Sequence, residues 1–163
     1  MNRQEKRLSR CLSLQIYYAW IMSETHPKEI INYITDSFDS KEQVYLFDPD
    51  DSGDKKLVIS DTISNYTYKL ITSTIEKCDE VDQYIIAKLK NWDLKRIALI
   101  DKLILRLSIT EMFFFEEIPP KVSIVEGVEI AKIFGNSDSS AFVNGVLDSI
   151  YNDLENSKKV NVK

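Results

Sequence analysis

Apolar residues in this chain recur every three to four positions and almost nowhere every two. That period puts them on one face of a helix, whereas a half-buried strand needs alternation. No Asn-Gly or Asp-Gly pair joins two strand-like runs, and Asn144-Gly145 lies inside a helical pattern. The pattern predicts an all-α chain of about seven helices. The first spans Gln4 to Met22 and stops before His26-Pro27, where the residue preceding proline is pushed out of the helical region. The second, Pro27 to Asp39, carries Ile30, Ile31 and Ile34 on its apolar face, with Pro27 in its first turn. Helices from Val58 to Lys77 and from Val81 to Lys90 follow. Asp93 is a candidate N-cap for a very apolar helix running to Phe115, which belongs at the centre of the fold. Pro119-Pro120 ends it and starts another, Lys121 to Phe134. Gly135 is placed to terminate that helix in the left-handed conformation, and Ser137 or Asp138 to cap the last helix, Ser139 to Leu154.

Composition removes whole classes of function. The 163 residues suffice for one domain with a real core, expected over residues 1–155, with a polar, disordered tail over 156–163. Four glycines, all far apart, cannot form a phosphate-binding loop or a dinucleotide fingerprint. One histidine and two distant cysteines leave no zinc site of the usual kind and no catalytic triad, and no cofactor is expected. Ser137, Ser139 and Ser140 have no strand–Ser–helix elbow, so capping is the better reading for one of them. The segment from Asp48 to Asp54 is superficially like a calcium loop, but Ile59 stands where a bidentate Glu is required, and a solvated turn is preferred. The polar start, MNRQEKRLSR, does not read as a signal peptide. The apolar run Ile97 to Phe115 holds Asp101, Lys102, Arg106 and Glu111, too many charges for a membrane span. A reducing, cytoplasmic location with no membrane contact is expected. Arg106 and Glu126 read as buried, paired charges that fix helix register.

The net charge of −5 argues against a broad basic surface, but the cations are not evenly spread. On a helical wheel Leu8, Leu12, Ile16 and Ala19 share one face of the first helix. Arg3, Lys6, Arg7 and Arg10 gather within about a quarter-turn opposite them. Tyr17 continues the stripe and is aimed outward, while Tyr18 lies nearer the apolar edge and is expected to pack. Guanidinium groups pair with phosphates and rings stack on unpaired bases, so the stripe suits RNA. It suits a plain solvated face as well.

The second half carries more specific runs. Asn91-Trp92 precedes Ile100-Asp101-Lys102-Leu103-Ile104-Leu105-Arg106-Leu107. Glu111, Ile118-Pro119 and the run Lys121 to Lys132 come next, then Phe134-Gly135, Ser139 and Phe142-Val143-Asn144-Gly145-Val146-Leu147-Asp148. With Arg7, Arg10, Gln15, Tyr18 and Trp20 in order near the start, the chain resembles the NusB family of bacterial transcription antitermination factors. The resemblance covers nearly the whole chain and is most specific from Phe134 to Asp148. It implies an all-α fold of two small packed helical bundles. It implies a non-catalytic factor that binds boxA-type single-stranded RNA with the ribosomal protein NusE and joins the RNA polymerase antitermination complex, notably on ribosomal RNA operons. In that family the Arg-rich helix start contacts RNA; the matching residues are Arg7 and Arg10, with Arg3 and Lys6 as neighbours. The loop after the Phe-Gly pair also approaches RNA, which selects Asp138, Ser139 and Phe142. Periodicity alone favours a core position for Phe142, and the resemblance brings the core and base-stacking readings level. The chain departs from the family at Val125-Glu126-Gly127, where Asn-Glu-Ala is usual, and Gly127 in a helix costs about 1 kcal/mol relative to Ala.

Two other functions fit an all-α chain of this kind. NusB-like domains also precede ribosomal RNA cytosine methyltransferases, but the Gly-rich cofactor loop of such an enzyme has no counterpart in this sequence. A protein-binding helical scaffold is the remaining alternative.

Overall fold

The computed structural model describes residues 1–32, 59–89 and 94–160, with backbone alone for 157–160. Among the described residues there are helices and no strand. The acidic Asp48 to Asp54 segment, Ile34 and the N-cap candidate Asp93 lie outside them. The chain divides into two compact units, Met1–Ile75 and Glu76–Lys163.

In the first unit, α1 spans Arg3–Ser23. A reciprocal capping box starts it: the Glu5 N–H donates to Asn2 Oδ1 at 2.9 Å, and the Asn2 N–H donates to Glu5 Oε2 at 2.7 Å. It ends at Glu24, whose φ of 59° lies in the left-handed region normally left to glycine. The next helix, α2, is described over residues 27–32. Here the lone histidine has a structural role: His26 Nδ1 accepts from the Lys28 N–H at 3.2 Å, and Pro27 follows at the first helical position. Helix α3 spans Asp61–Glu76. Leu12, Ile16, Ile31, Ile63 and Ile71 form the apolar cluster of this unit.

The contact of α1 with α3 goes beyond that apolar stripe. Ser9, Ser13 and Thr67 are buried as well. Their hydroxyls are satisfied by backbone carbonyls: Ser13 Oγ donates within α1 to Ser9 O at 2.8 Å, and Thr67 Oγ1 donates across from α3 to Ser9 O at 3.3 Å. Small side chains with their donors occupied let two backbones approach without stranding a polar group. As a result α1 is buried nearly all round from Ser9 to Leu14.

The second unit contains α4 (Cys78–Lys88), a 3-10 turn (Leu94–Arg96), α5 (Leu99–Phe114), α6 (Pro120–Phe134) and α7 (Ser139–Val160). Helix α5 packs against α4, α6 and α7, the central place its apolar composition requires. It begins later than the pattern suggests. Extended backbone at Ala98 separates it from the 3-10 turn, and no side chain caps it. Arg106 on α5 is gripped by Asp82 of α4, Nε to Oδ1 at 2.8 Å and Nη2 to Oδ2 at 2.7 Å. Buried Glu111 accepts from Ser123 Oγ at 2.6 Å, joining α5 to α6. Gly127 has a packing reason: a Cβ there would stand 2.5 Å from Ser108 Oγ and 3.2 Å from Leu147 Cδ1. Its absence lets α6 close on α5 and α7 together. Helix α7 continues through Val160, past Leu154 where the apolar pattern ends, so residues 156–160 prolong the helix instead of leaving it. Propagating a formed helix adds a backbone bond with each residue ordered.

Candidate nucleic-acid interface

The basic stripe on α1 runs from solvent into the fold. Arg3 is exposed, and Lys6 and Arg7 are half-buried. Arg10 is only 5% exposed and Tyr17 only 1%. The expectation that all five face outward therefore fails at its C-terminal end. Tyr17 follows Ser9 and Ser13 at four-residue steps, so it continues the row that α3 helps to bury and stacks on Trp20 at 5.6 Å. The two tyrosines exchange the roles the wheel assigns them, since Tyr18 is 38% exposed. At about 100° per residue Tyr18 lies close to the direction of Arg7, so an exposed aromatic still accompanies the exposed and half-exposed cations. Glu5, the one carboxylate among them, is engaged in the capping box.

The loop ahead of α7 is organised by hydrogen bonds to its own backbone. Asn136 Oδ1 accepts from the Asp138 N–H at 2.8 Å and from the Ser139 N–H at 3.1 Å. Ser139 Oγ accepts from the Asn136 N–H at 2.9 Å. This is a reciprocal cap with Asn and Ser in place of the usual Ser/Thr and Glu/Gln. The capping role expected of Ser137 or Asp138 thus belongs to Asn136. Asn136-x-x-Ser139 is legible in the sequence as such a pair, but the serine is not the residue usually sought at its second position.

Ser139 is 1% exposed. Its place is inside the cap, where it orients the loop and has no surface to offer a ligand. Asp138 is exposed and Phe142 half-buried, one turn apart, with the Phe142 N–H donating to Asp138 O at 3.0 Å. Gly135 is extended, φ −90° and ψ −171°, and not left-handed as expected. Glycine is needed there for space. A Cβ would meet Ser139 Cβ at 2.3 Å and Ala131 O at 2.6 Å.

Chemically, the first unit presents cations and a ring. The second presents an acceptor-only carboxylate beside a ring. Among the described residues no group of three His, Cys, Asp or Glu side chains could hold a metal ion, and no helix is long and apolar enough to cross a membrane.

A protein from Bacillus pumilus (strain SAFR-032), named transcription antitermination protein NusB, is 36% identical over 151 residues, 93% of this chain and 98% of that one. A protein of the same name from Chloroherpeton thalassium (strain ATCC 35110 / GB-78) is 43% identical over 91 residues, 56% of this chain; the match spans only 43% of that protein. The fold is similar to a chain in the crystal structure of antitermination factors NusB and NusE in complex with dsRNA. That match has a TM-score of 0.71 at 19% identity and covers 93% of this chain and 99% of the other. The NusB family model matches residues 7–152, about nine-tenths of the 163 residues, and the chain belongs to the NusB family.

Proposed function

We propose that this protein is a cytoplasmic, non-catalytic transcription antitermination factor whose residues 1–155 form an RNA-binding domain. It binds boxA-type single-stranded RNA together with NusE and acts within the RNA polymerase antitermination complex, notably on ribosomal RNA operons. The observation that carries this reading is the cluster of exposed Arg3 with half-buried Lys6 and Arg7 at the start of α1, in a chain of net charge −5. Cations brought together against an acidic background suit a local phosphate contact. Tyr18 adds a ring on the same helix, and Asp138 with Phe142 adds a separate contact on α7. Asp138 can only accept hydrogen bonds, so its partner is a base N–H and not a phosphate. Arg10, Tyr17 and Ser139 support these contacts from within the fold.

The similar solved complex contains double-stranded RNA and NusE. Single-stranded RNA is the better ligand here because a half-open phenylalanine can stack only on a base that is free to leave its pair. Three titrations test the reading: labelled single-stranded boxA-type RNA with this protein, with NusE, and with the mixture. The mixture is expected to bind far more tightly than either protein, since linked contacts add effective concentration. An excess of duplex of the same sequence is expected to compete poorly. Equal affinity for the mixture and the free protein, or full competition by the duplex, overturns the corresponding part of the assignment.

A further inference from the structure

Three glycines stand in or beside α6 and α7, and two of them have an internal reason. Gly127 admits Ser108 and Leu147, and Gly135 admits Ser139 and the Ala131 carbonyl. Gly145 has none. It is exposed within α7, its φ is not positive, and a Cβ built there would meet nothing within 4 Å. A glycine inside a helix is less favourable than alanine, because it gives up more backbone freedom on folding. Among the described residues, nothing in the surrounding packing offsets that cost.

Its position relates it to the ring one turn earlier. At 100° per residue Asp138, Phe142 and Gly145 fall within about 60° of one another, one row along α7. Helical side chains lean toward the N-terminus, so a side chain at 145 would lie over the turn that carries Phe142. Among the described residues, the Phe142 ring is in none of the stacked or tilted pairs, which involve Tyr17–Trp20, Tyr84–Phe113 and Phe113–Phe114. Carboxylates border the row at Asp138 and at Asp148, which accepts from Asn144 Nδ2 at 3.1 Å. Negative charge on both sides disfavours a phosphate and leaves an uncharged, flat group as the fitting occupant.

We propose that Gly145 keeps the flank of Phe142 bare for a stacked nucleobase, so that Asp138, Phe142 and Gly145 act as one nucleotide-binding row. This rests on the RNA-binding reading above. The full chain is titrated with single-stranded boxA-type RNA, and thermal melts are recorded, for Gly145→Ala, Gly145→Gln, Phe142→Leu and the double variant Phe142→Leu/Gly145→Gln. Both glycine variants are expected to melt higher than the parent. Gly145→Gln is expected to bind RNA about fivefold or more weakly, approaching Phe142→Leu, as loss of a stacked base requires. The double variant is expected to bind no worse than Phe142→Leu alone, because the two changes remove one interaction. Gly145→Gln with parental affinity beside a weakened Phe142→Leu overturns the role of Gly145 and leaves the RNA site standing. Parental affinity in Phe142→Leu removes the stacking row altogether. A lower melting temperature for Gly145→Ala shows an internal reason for the glycine and overturns the inference. Failure of the unmodified chain to bind RNA, alone or with NusE, defeats the functional reading itself.

Discussion

The start of α1 and the start of α7 prepare a surface in different ways. At α1 the surface is made of side-chain charge, and its extent is limited by burial: Arg3 is open, Lys6 and Arg7 are half-open, and Arg10 is enclosed. At α7 the surface is made by backbone geometry. Asn136 and Ser139 close a cap that holds Asp138 and Phe142 one turn apart, and Gly135 gives the cap room. A charged helix face tolerates loss of one member, since each contact is worth little alone. A capped loop rests on a few hydrogen bonds of modest worth and on the space Gly135 leaves, so losing one bond shifts the loop slightly while filling that space disturbs it more.

The sharpest way to break that comparison is at Tyr17. If it belongs to the core, Tyr17→Ala costs about 3–5 kcal/mol of stability, comparable to other buried aromatic truncations. Tyr18→Ala should stay within about 0.5 kcal/mol of the parent, being a surface change. Denaturant unfolding of the two variants decides it; equal losses would return Tyr17 to the surface.

Gly135→Ala comes next. The new methyl group meets Ser139 and a backbone carbonyl, and overpacking of that kind costs roughly 2–3 kcal/mol. Gly127→Ala should cost less, because the nearest obstacle is the Ser108 hydroxyl, which can turn away. A melt in which Gly127→Ala is the more damaging would contradict the crowding at Gly135.

Third is the pair Arg3→Ala with Arg7→Ala. RNA affinity should fall while the melting temperature holds, and the salt dependence should flatten by about 0.7 in slope per lost phosphate contact. Arg10→Ala should behave differently, losing stability through lost packing of its buried stem. An Arg10 variant that melts with the parent and binds RNA poorly would place that guanidinium in the interface after all.

The smallest effect is at the cap. Asn136→Ala should cost about 1 kcal/mol and weaken RNA binding modestly, while Asn136→Asp keeps an acceptor oxygen and restores both. Stability restored without affinity would separate the cap from the RNA surface.

Several of these distinctions are visible only in part from residue order. The spans of α1, α6 and the beginning of α7 follow from local rules: the Asn2–Glu5 cap, the Pro119-Pro120 step, and apolar residues at helical spacing. Glu24 takes a left-handed conformation that its residue type does not advertise, and Gly135 is extended where its type suggests the reverse. In both cases the neighbouring turn dictates the backbone, and the residue only has to tolerate it.

What residue order determined by itself is therefore the helical inventory, the central place of α5 and the gathering of cations at one end of α1, since periodicity, capping and charge act within a few residues of one another. Tertiary structure decided which side of each helix is covered. Ser9 and Ser13 on α1 and Thr67 on α3 look polar in a sequence, yet their hydroxyls are satisfied by backbone carbonyls, so the two helices can pack against each other there. That one contact widens the buried arc of α1, draws Arg10 and Tyr17 inward and leaves Tyr18 outside. A wheel weighs each residue by its own polarity, whereas burial depends on whether a partner helix can approach and whether each polar group it covers already has its hydrogen bond.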